Sequence, residues 1–211
     1  MNTKLNKQTL TIIGAVLLVA TLVVGYLVFV NPFSDDGNSG TTKRVTNETY
    51  GISFSYQEGE DAFTLVEPPE NQAGIHKSYV ILPTKAYNEY KNSEDVREAP
   101  AGMTLFILTL KEEDSISEAT STERASRMTR LKEWAVKHDG LTQYSKKKAE
   151  PEEVEIDGVK SLKYQADGLY QQTIYLATYK NNVYMFVSQY NEEADATRTA
   201  FDTFLSSVSF D

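Results

Sequence analysis

The chain has 211 residues, a formal net charge of −9, no cysteine, two histidines and 40% hydrophobic residues. That length accommodates one domain, or at most two small ones. The missing cysteine excludes disulfide frameworks, thiol nucleophiles, Cys-ligated zinc, iron–sulfur clusters and a lipid-modified cysteine, and the acidic balance disfavours a nucleic-acid binder, which needs a basic face.

From Gln8 to Ser34 there is no charged residue, and Leu10–Val30 is almost entirely apolar. As a helix, that run would be about 30 Å long, the thickness of a hydrocarbon core. It exceeds the roughly 7–15 residues of a secretory h-region, and no small-residue cleavage site follows it. The reading is therefore a transmembrane signal-anchor over residues 10–30, preceded by a short tail, residues 1–9. Tyr26, Phe29 and Phe33 stand where an outer aromatic belt would lie. Lys4 and Lys7 sit just before the span, and Lys43 and Arg44 follow it. The lysines of the short tail favour an N-terminus inside and a C-terminal domain outside the cell membrane.

Asn31–Arg44, with Pro, two Gly and several Ser and Thr, reads as a flexible linker with a mean reach of about 20 Å. The remaining Val45–Asp211 carries 17 basic and 28 acidic residues, a net −11, and is long enough to fold alone.

Within it, Gly51–Tyr56 alternates, with Ile52, Phe54 and Tyr56 on one face. Phe63–Val66 and Lys77–Leu82 read as further strands. Met103–Leu110 is apolar on both faces, the mark of a central strand. A helix follows: Thr120 and Glu123 have capping-box spacing, Met128, Leu131, Ala135 and His138 form its stripe, and Gly140 closes it. The charge-rich tract Lys146–Asp157 reads as a solvated loop entering an edge strand. Two-residue turns at Asp157-Gly158, Asp167-Gly168 and Asn181-Asn182 then separate strands near 152–156, 159–166, 169–179 and 183–190. A last helix carries Ala194, Thr197, Phe201, Phe204 and Leu205, and Val208–Phe210 reads as a short pairing segment.

Pairing across those turns places Val154, Ile156, Val159, Ile174, Leu176, Val183, Met185 and Val187 on one face. Leu162, Tyr164, Tyr175, Tyr179, Tyr184, Phe186 and Tyr190 fall on the other. Both faces are apolar and need cover, which two long helices supply. The expected fold is α+β: an antiparallel sheet between helices, an α/β/α sandwich.

Tyr50-Gly51-Ile52-Ser53-Phe54-Ser55-Tyr56 resembles the opening strand of PsbP-like domains. The late Asp-Gly hairpin and Phe204-Leu205-Ser206-Ser207-Val208-Ser209-Phe210 resemble that family's ending. Gln57 and Glu58 depart from the Pro and nearby Trp that often follow in the family. The resemblance spans residues 50–210 and implies the α/β/α sandwich fold. It carries no functional residue over, since members range from extrinsic photosystem proteins to bacterial extracytoplasmic proteins of unassigned role.

Nucleotide-binding glycine motifs, zinc-protease motifs and nucleophile elbows are missing from the sequence, so no catalytic, cofactor or metal residue is assigned. His138 sits in a last helical turn, where an imidazolium suits the helix dipole. His76 lies in a strand. Glu112-Glu113-Asp114 lacks calcium-loop spacing and reads as a solvated turn. Asn47-Glu48-Thr49 is a glycosylation sequon. The tyrosine face is the candidate binding surface, through Tyr164, Tyr175, Tyr179, Tyr184 and Tyr190. Two readings stand for it: a covered core with hydroxyls at its rim, or an open platform for a glycan, peptide or protein. The functional expectation is a non-catalytic, membrane-anchored extracytoplasmic module. Its partners are the bilayer, through residues 10–30, and an envelope protein or glycan. The alternative is a surface hydrolase whose carboxylates converge only in the fold.

Overall fold

A computed structural model describes residues 40–68, 75–93, 98–110, 121–192 and 195–211. The expected span Leu10–Val30, the cap residue Thr120, the Glu112–Asp114 turn and Ala194 lie outside the described residues. Among the described residues, no helix is long and apolar enough to cross a membrane.

The strands are β1 (Thr41–Asn47), β2 (Ile52–Glu58), β3 (Phe63–Val66), β4 (Ile75–Pro83), β5 (Met103–Thr109), β6 (Glu152–Ile156), β7 (Val159–Asp167), β8 (Gln171–Tyr179), β9 (Asn182–Tyr190) and β10 (Ser209–Phe210). The helices are α1 (Thr84–Lys91), α2 (Ser121–Lys137), the short α3 (Asp139–Thr142) and α4 (Ala196–Ser206). The strand order is β1-β2-β3-β4-β5-β9-β8-β7-β6, and β10 pairs with β2. The central position of β5, between β4 and β9, is the one its two-faced apolarity required. The sheet is mixed rather than antiparallel throughout, because β2 meets β3 in parallel at the single pair Glu58–Phe63.

At that junction the sheet folds back on itself. Neighbouring strands are about 4.8 Å apart, so in a flat sheet β9 would lie about 19 Å from β2. Yet the Tyr184 hydroxyl on β9 donates to the Tyr50 carbonyl just before β2. The β1–β2 layer therefore lies over the main sheet. Ile52, Phe54 and Tyr56 share one core with Tyr79, Ile81, Leu105, Ile107, Tyr184 and Phe186. On the same face α4 adds Phe201 and Phe204, and Phe54 and Phe204 meet edge to face at 5.2 Å.

The opposite face packs under α2. Met128, Leu131, Trp134 and Ala135 close over Leu108, Leu162, Tyr164, Ile174, Leu176, Val183, Met185 and Val187. Met128, Leu131 and Ala135 of the expected stripe are thus buried, while His138 lies past the end of α2 and is half-buried. Gly140 does not close the helix, however. The chain makes the extra turn α3, and the left-handed residue that ends it is Gln143 (φ 53°). A third small cluster joins Tyr87 of α1 to Val66 and Leu82.

Three differences from the sequence-based expectation have definite causes. First, Thr41–Arg44 is strand rather than tether. Its residues pair in register with β2 from Thr41–Glu58 to Asn47–Ile52. Second, the β8–β9 turn is Lys180-Asn181, with Tyr179 opposite Asn182. It remains two residues long, so the faces of β8 and β9 are as expected. Third, Asp167 pairs with Gln171, which makes the β7–β8 loop three residues, Gly168 to Tyr170. That one extra residue inverts the β6–β7 hairpin relative to β8. Leu162 and Tyr164 consequently lie on the α2 side, while Val154, Ile156 and Val159 occupy positions on the α4 side. The Asp157-Gly158 turn is as expected. Both residues have positive φ, 47° and 73°, as a type I′ hairpin requires.

Candidate functional site

With the inversion made, the α4 side of the sheet carries a lateral row of side chains. Glu152 on β6 faces Lys163 on β7, which faces Tyr175 on β8, which faces Phe186 on β9. The row runs from a charged sheet edge into the aromatic core beneath α4. Phe186 is fully buried against Phe204. Tyr175 is half-buried, its ring 5.9 Å from that of Phe201. The Lys163 ammonium lies 5.9 Å from the Tyr175 ring centre and 3.6 Å from the Glu152 carboxylate.

The structure separates the five candidate tyrosines. Tyr164 is on the other face, 3% exposed, and its hydroxyl donates to the Thr142 carbonyl at 2.7 Å. Tyr184 and Tyr190 are on the α4 side but are 0% and 1% exposed. Tyr190 shares a hydrogen bond with Thr173 at 3.2 Å and lies under the Arg198 guanidinium. Tyr179 is partly covered by Phe210, with rings 5.0 Å apart, and its hydroxyl donates to the Asp211 carbonyl. Thus α4 and β10 occupy the place an open platform would need, and the covered-core reading is the one that fits. Only Tyr175 and Tyr179, both half-buried, reach the rim.

Electrostatics follow burial. Desolvation pushes the Tyr164 and Tyr184 phenols up, Tyr184 to about 12. Tyr175 is also raised, first by burial and then by the charges of Asp202 and Glu152, with Lys163 opposing. Tyr164 and Tyr184 therefore stay protonated and donate to backbone carbonyls, whereas the Tyr175 hydroxyl accepts from the Lys163 ammonium. Glu58 behaves differently. Burial alone would raise its carboxyl, but hydrogen bonds from Lys43 and Tyr56, with the Lys43 charge, outweigh that and hold it below the ordinary value. A carboxylate so held suits ion pairing rather than proton donation.

Among the described residues, no three His, Asp or Glu side chains gather in a way that could hold a metal ion. Both histidines lie against aromatic rings. His138 stacks on Trp134 at 4.3 Å, and its Nδ1 lies 2.9 Å from the Trp134 carbonyl, so that nitrogen carries the proton. His76 lies 5.9 Å from the Tyr50 ring. The sequon Asn47 is engaged inside the fold: its amide donates to the Tyr79 hydroxyl and its carbonyl oxygen accepts from Tyr50 N–H. Lys163, Glu152 and Asp202, which surround Tyr175, are absent from the sequence-based set. Cross-strand pairing would have found the first two once the loop length was known.

No family model matches the sequence. No curated protein matches it either. Among solved structures, the chain is similar to the solution structure of cyanobacterial PsbP (CyanoP) from Synechocystis sp. PCC 6803. The identity is 17% and the TM-score 0.45, with 86% of this chain and 98% of that chain covered.

Proposed function

We propose that the chain is a single-pass membrane protein of the PsbP-like type, whose extracytoplasmic domain serves without catalysis as a binding or accessory module of the cell envelope. The observation that carries this reading is the uncharged segment Gln8–Ser34, which ends a few residues before the first strand of a self-contained domain. The PsbP-like reading is supported by the two segments that carry the resemblance, because they pair with each other. Ser209 lies opposite Ser53 and Phe210 opposite Ile52. The binding partner would be an envelope protein or glycan, met at the half-exposed Tyr175–Lys163–Glu152 rim.

The full chain should stay in the membrane fraction through carbonate extraction. Protease added outside spheroplasts should digest the domain and spare the short N-terminal tail. A mature N-terminus beyond Val30, or a domain wholly protected from external protease, would overturn the anchor or its orientation.

A further inference from the structure

The acidity of the domain is unevenly distributed. Residues 121–148, which comprise α2, α3 and the turn after them, contain eight basic and three acidic side chains, a net +5. Val45–Asp211 as a whole is −11, so the rest of the domain stands at −16. Most of the basic stretch is the α2 layer, while Lys147 and Lys148 lie beside it at the sheet, where Lys147 bridges to Ala166 and Lys148 N–H donates to the Gln165 carbonyl. The apolar residues Met128, Leu131, Trp134 and Ala135 of α2 are turned into the sheet, and Arg127 also reaches it, donating to the Thr178 hydroxyl at 3.0 Å and the Thr178 carbonyl at 2.6 Å. Lys137, Lys146 and Lys148 are exposed, and Lys132 is half-exposed. Some of this charge is engaged: Lys148 pairs with Asp167 at 2.8 Å and Lys147 with Glu150 at 3.6 Å. Next to Lys132 and Lys137 on the helix stands Val136, 58% exposed, one of two large apolar side chains so exposed among the described residues.

We propose that this α2 layer is a docking face for anionic lipid headgroups, the surface of the bilayer to which the chain is anchored. The proposal rests on the anchor reading above. Charge complementarity selects the occupant. Exposed lysines beside one protruding valine suit a headgroup layer, with the cations at phosphate depth and the valine below them. The linker keeps the domain within reach. A flexible chain of the ten residues between the apolar run and the first strand would span about 17 Å on average, so on the anchor reading the bilayer is at high effective concentration. The negative remainder then selects the orientation. Charges are screened beyond about 8 Å at physiological salt. The domain feels repulsion when any acidic side approaches the surface and attraction only when α2 faces it.

The test uses the full chain with Val136→Cys, a unique thiol in a cysteine-free protein, carrying a polarity-sensitive fluorophore. The protein is reconstituted into vesicles of phosphatidylcholine alone, or with about one third phosphatidylglycerol. The emission should shift to the blue in the anionic vesicles only, and revert in 0.5 M salt. A label at Thr203→Cys, on the exposed side of α4, should not respond. Each of Lys132→Ala and Lys146→Ala should lower the docked-to-free ratio about fivefold, the factor for ~1 kcal/mol per basic side chain at an anionic surface. An unshifted label on a chain that still floats with the vesicles overturns the docking face and leaves the anchor standing. A shift in neutral vesicles that grows with protein density means that the face meets the acidic side of a second copy, and also overturns it. A chain that fails to float overturns the anchor itself.

Discussion

At the residue scale, burial decides what each aromatic does. Phe186 is fully enclosed between Tyr175, Leu105 and the rings of α4. Removing its ring leaves a cavity that the rigid sheet cannot collapse into, so Phe186→Ala should cost about 3–5 kcal/mol. Tyr175→Phe removes only a hydroxyl at the rim and should leave the melting temperature within a degree or two. Thermal melts of the two variants check this, and equal losses would mean that Tyr175 is as much a part of the core as Phe186. Gly158 offers a cleaner test of backbone strain. It has φ +73°, and nothing lies within 4 Å of where a Cβ would project. Gly158→Val should therefore cost about 1–3 kcal/mol through the left-handed conformation alone, with no clash contributing. Urea denaturation would show this as a lower midpoint at unchanged slope.

At the element scale, β2 to β9 and the two long helices were legible because each has its own periodicity, whereas β1, expected in part as a tether, and the short α1 were not. The alternation Ile52, Phe54, Tyr56 and the stripe Met128, Leu131, Ala135 are local patterns, and the structure buries those faces. Loop length was not legible. Asp167-Gly168 has the composition of a two-residue hairpin turn, but Gly168 N–H donates to the Tyr170 carbonyl, and the Tyr170 hydroxyl is pinned to the Ala99 carbonyl at 3.0 Å. A contact 71 residues away in the chain thus accompanies a loop one residue longer, and the face of Leu162 and Tyr164 changes with it. The cap of α4 lies between these cases. Asp195 accepts from Thr197 N–H at 2.8 Å, satisfying a donor that the first turn leaves free. Asp195→Ala should cost about 1 kcal/mol. Hydrogen exchange should show it as faster opening of the first turn of α4, with the β8–β9 amides unchanged.

At the scale of the whole molecule, closure depends on a few long-range ties between the β1–β2 layer and the rest. The Tyr184 hydroxyl holds the Tyr50 carbonyl. Ser207 Oγ accepts from Ser55 N–H at 2.8 Å and lies 3.1 Å from the Ser55 carbonyl, taking the place of a missing strand neighbour between β10 and β3. Asp157, from the β6–β7 turn, accepts from Phe210 N–H at 2.7 Å and so steadies β10. The Tyr184 tie has a pH signature. Burial raises its phenol from 10 to about 12 in the folded chain. Its contribution is complete below pH 10, because both states are then protonated. It is lost as pH rises through about 12, because the unfolded chain ionises first. Melting temperature should therefore fall between pH 10 and 12, and Tyr184→Phe should remove part of that fall. An identical fall in the variant would mean that other phenols carry all of it.

The sequence by itself determined the features written in neighbouring residues. These are the apolar run with its flanking lysines, the strand and helix periodicities, the Asp157-Gly158 hairpin, and the need for helices on both faces of a two-sided apolar sheet. It also held the charge asymmetry of residues 121–148, which whole-chain charge concealed. Only the tertiary structure decided how the sheet folds back at the Glu58–Phe63 junction, which face the β6–β7 hairpin presents, and which tyrosines remain at the surface. The physical reason is the range of the forces involved. Periodicity reports burial along one element, whereas register, closure and exposure depend on contacts between residues far apart in the chain, where one residue of loop length inverts every side chain beyond it.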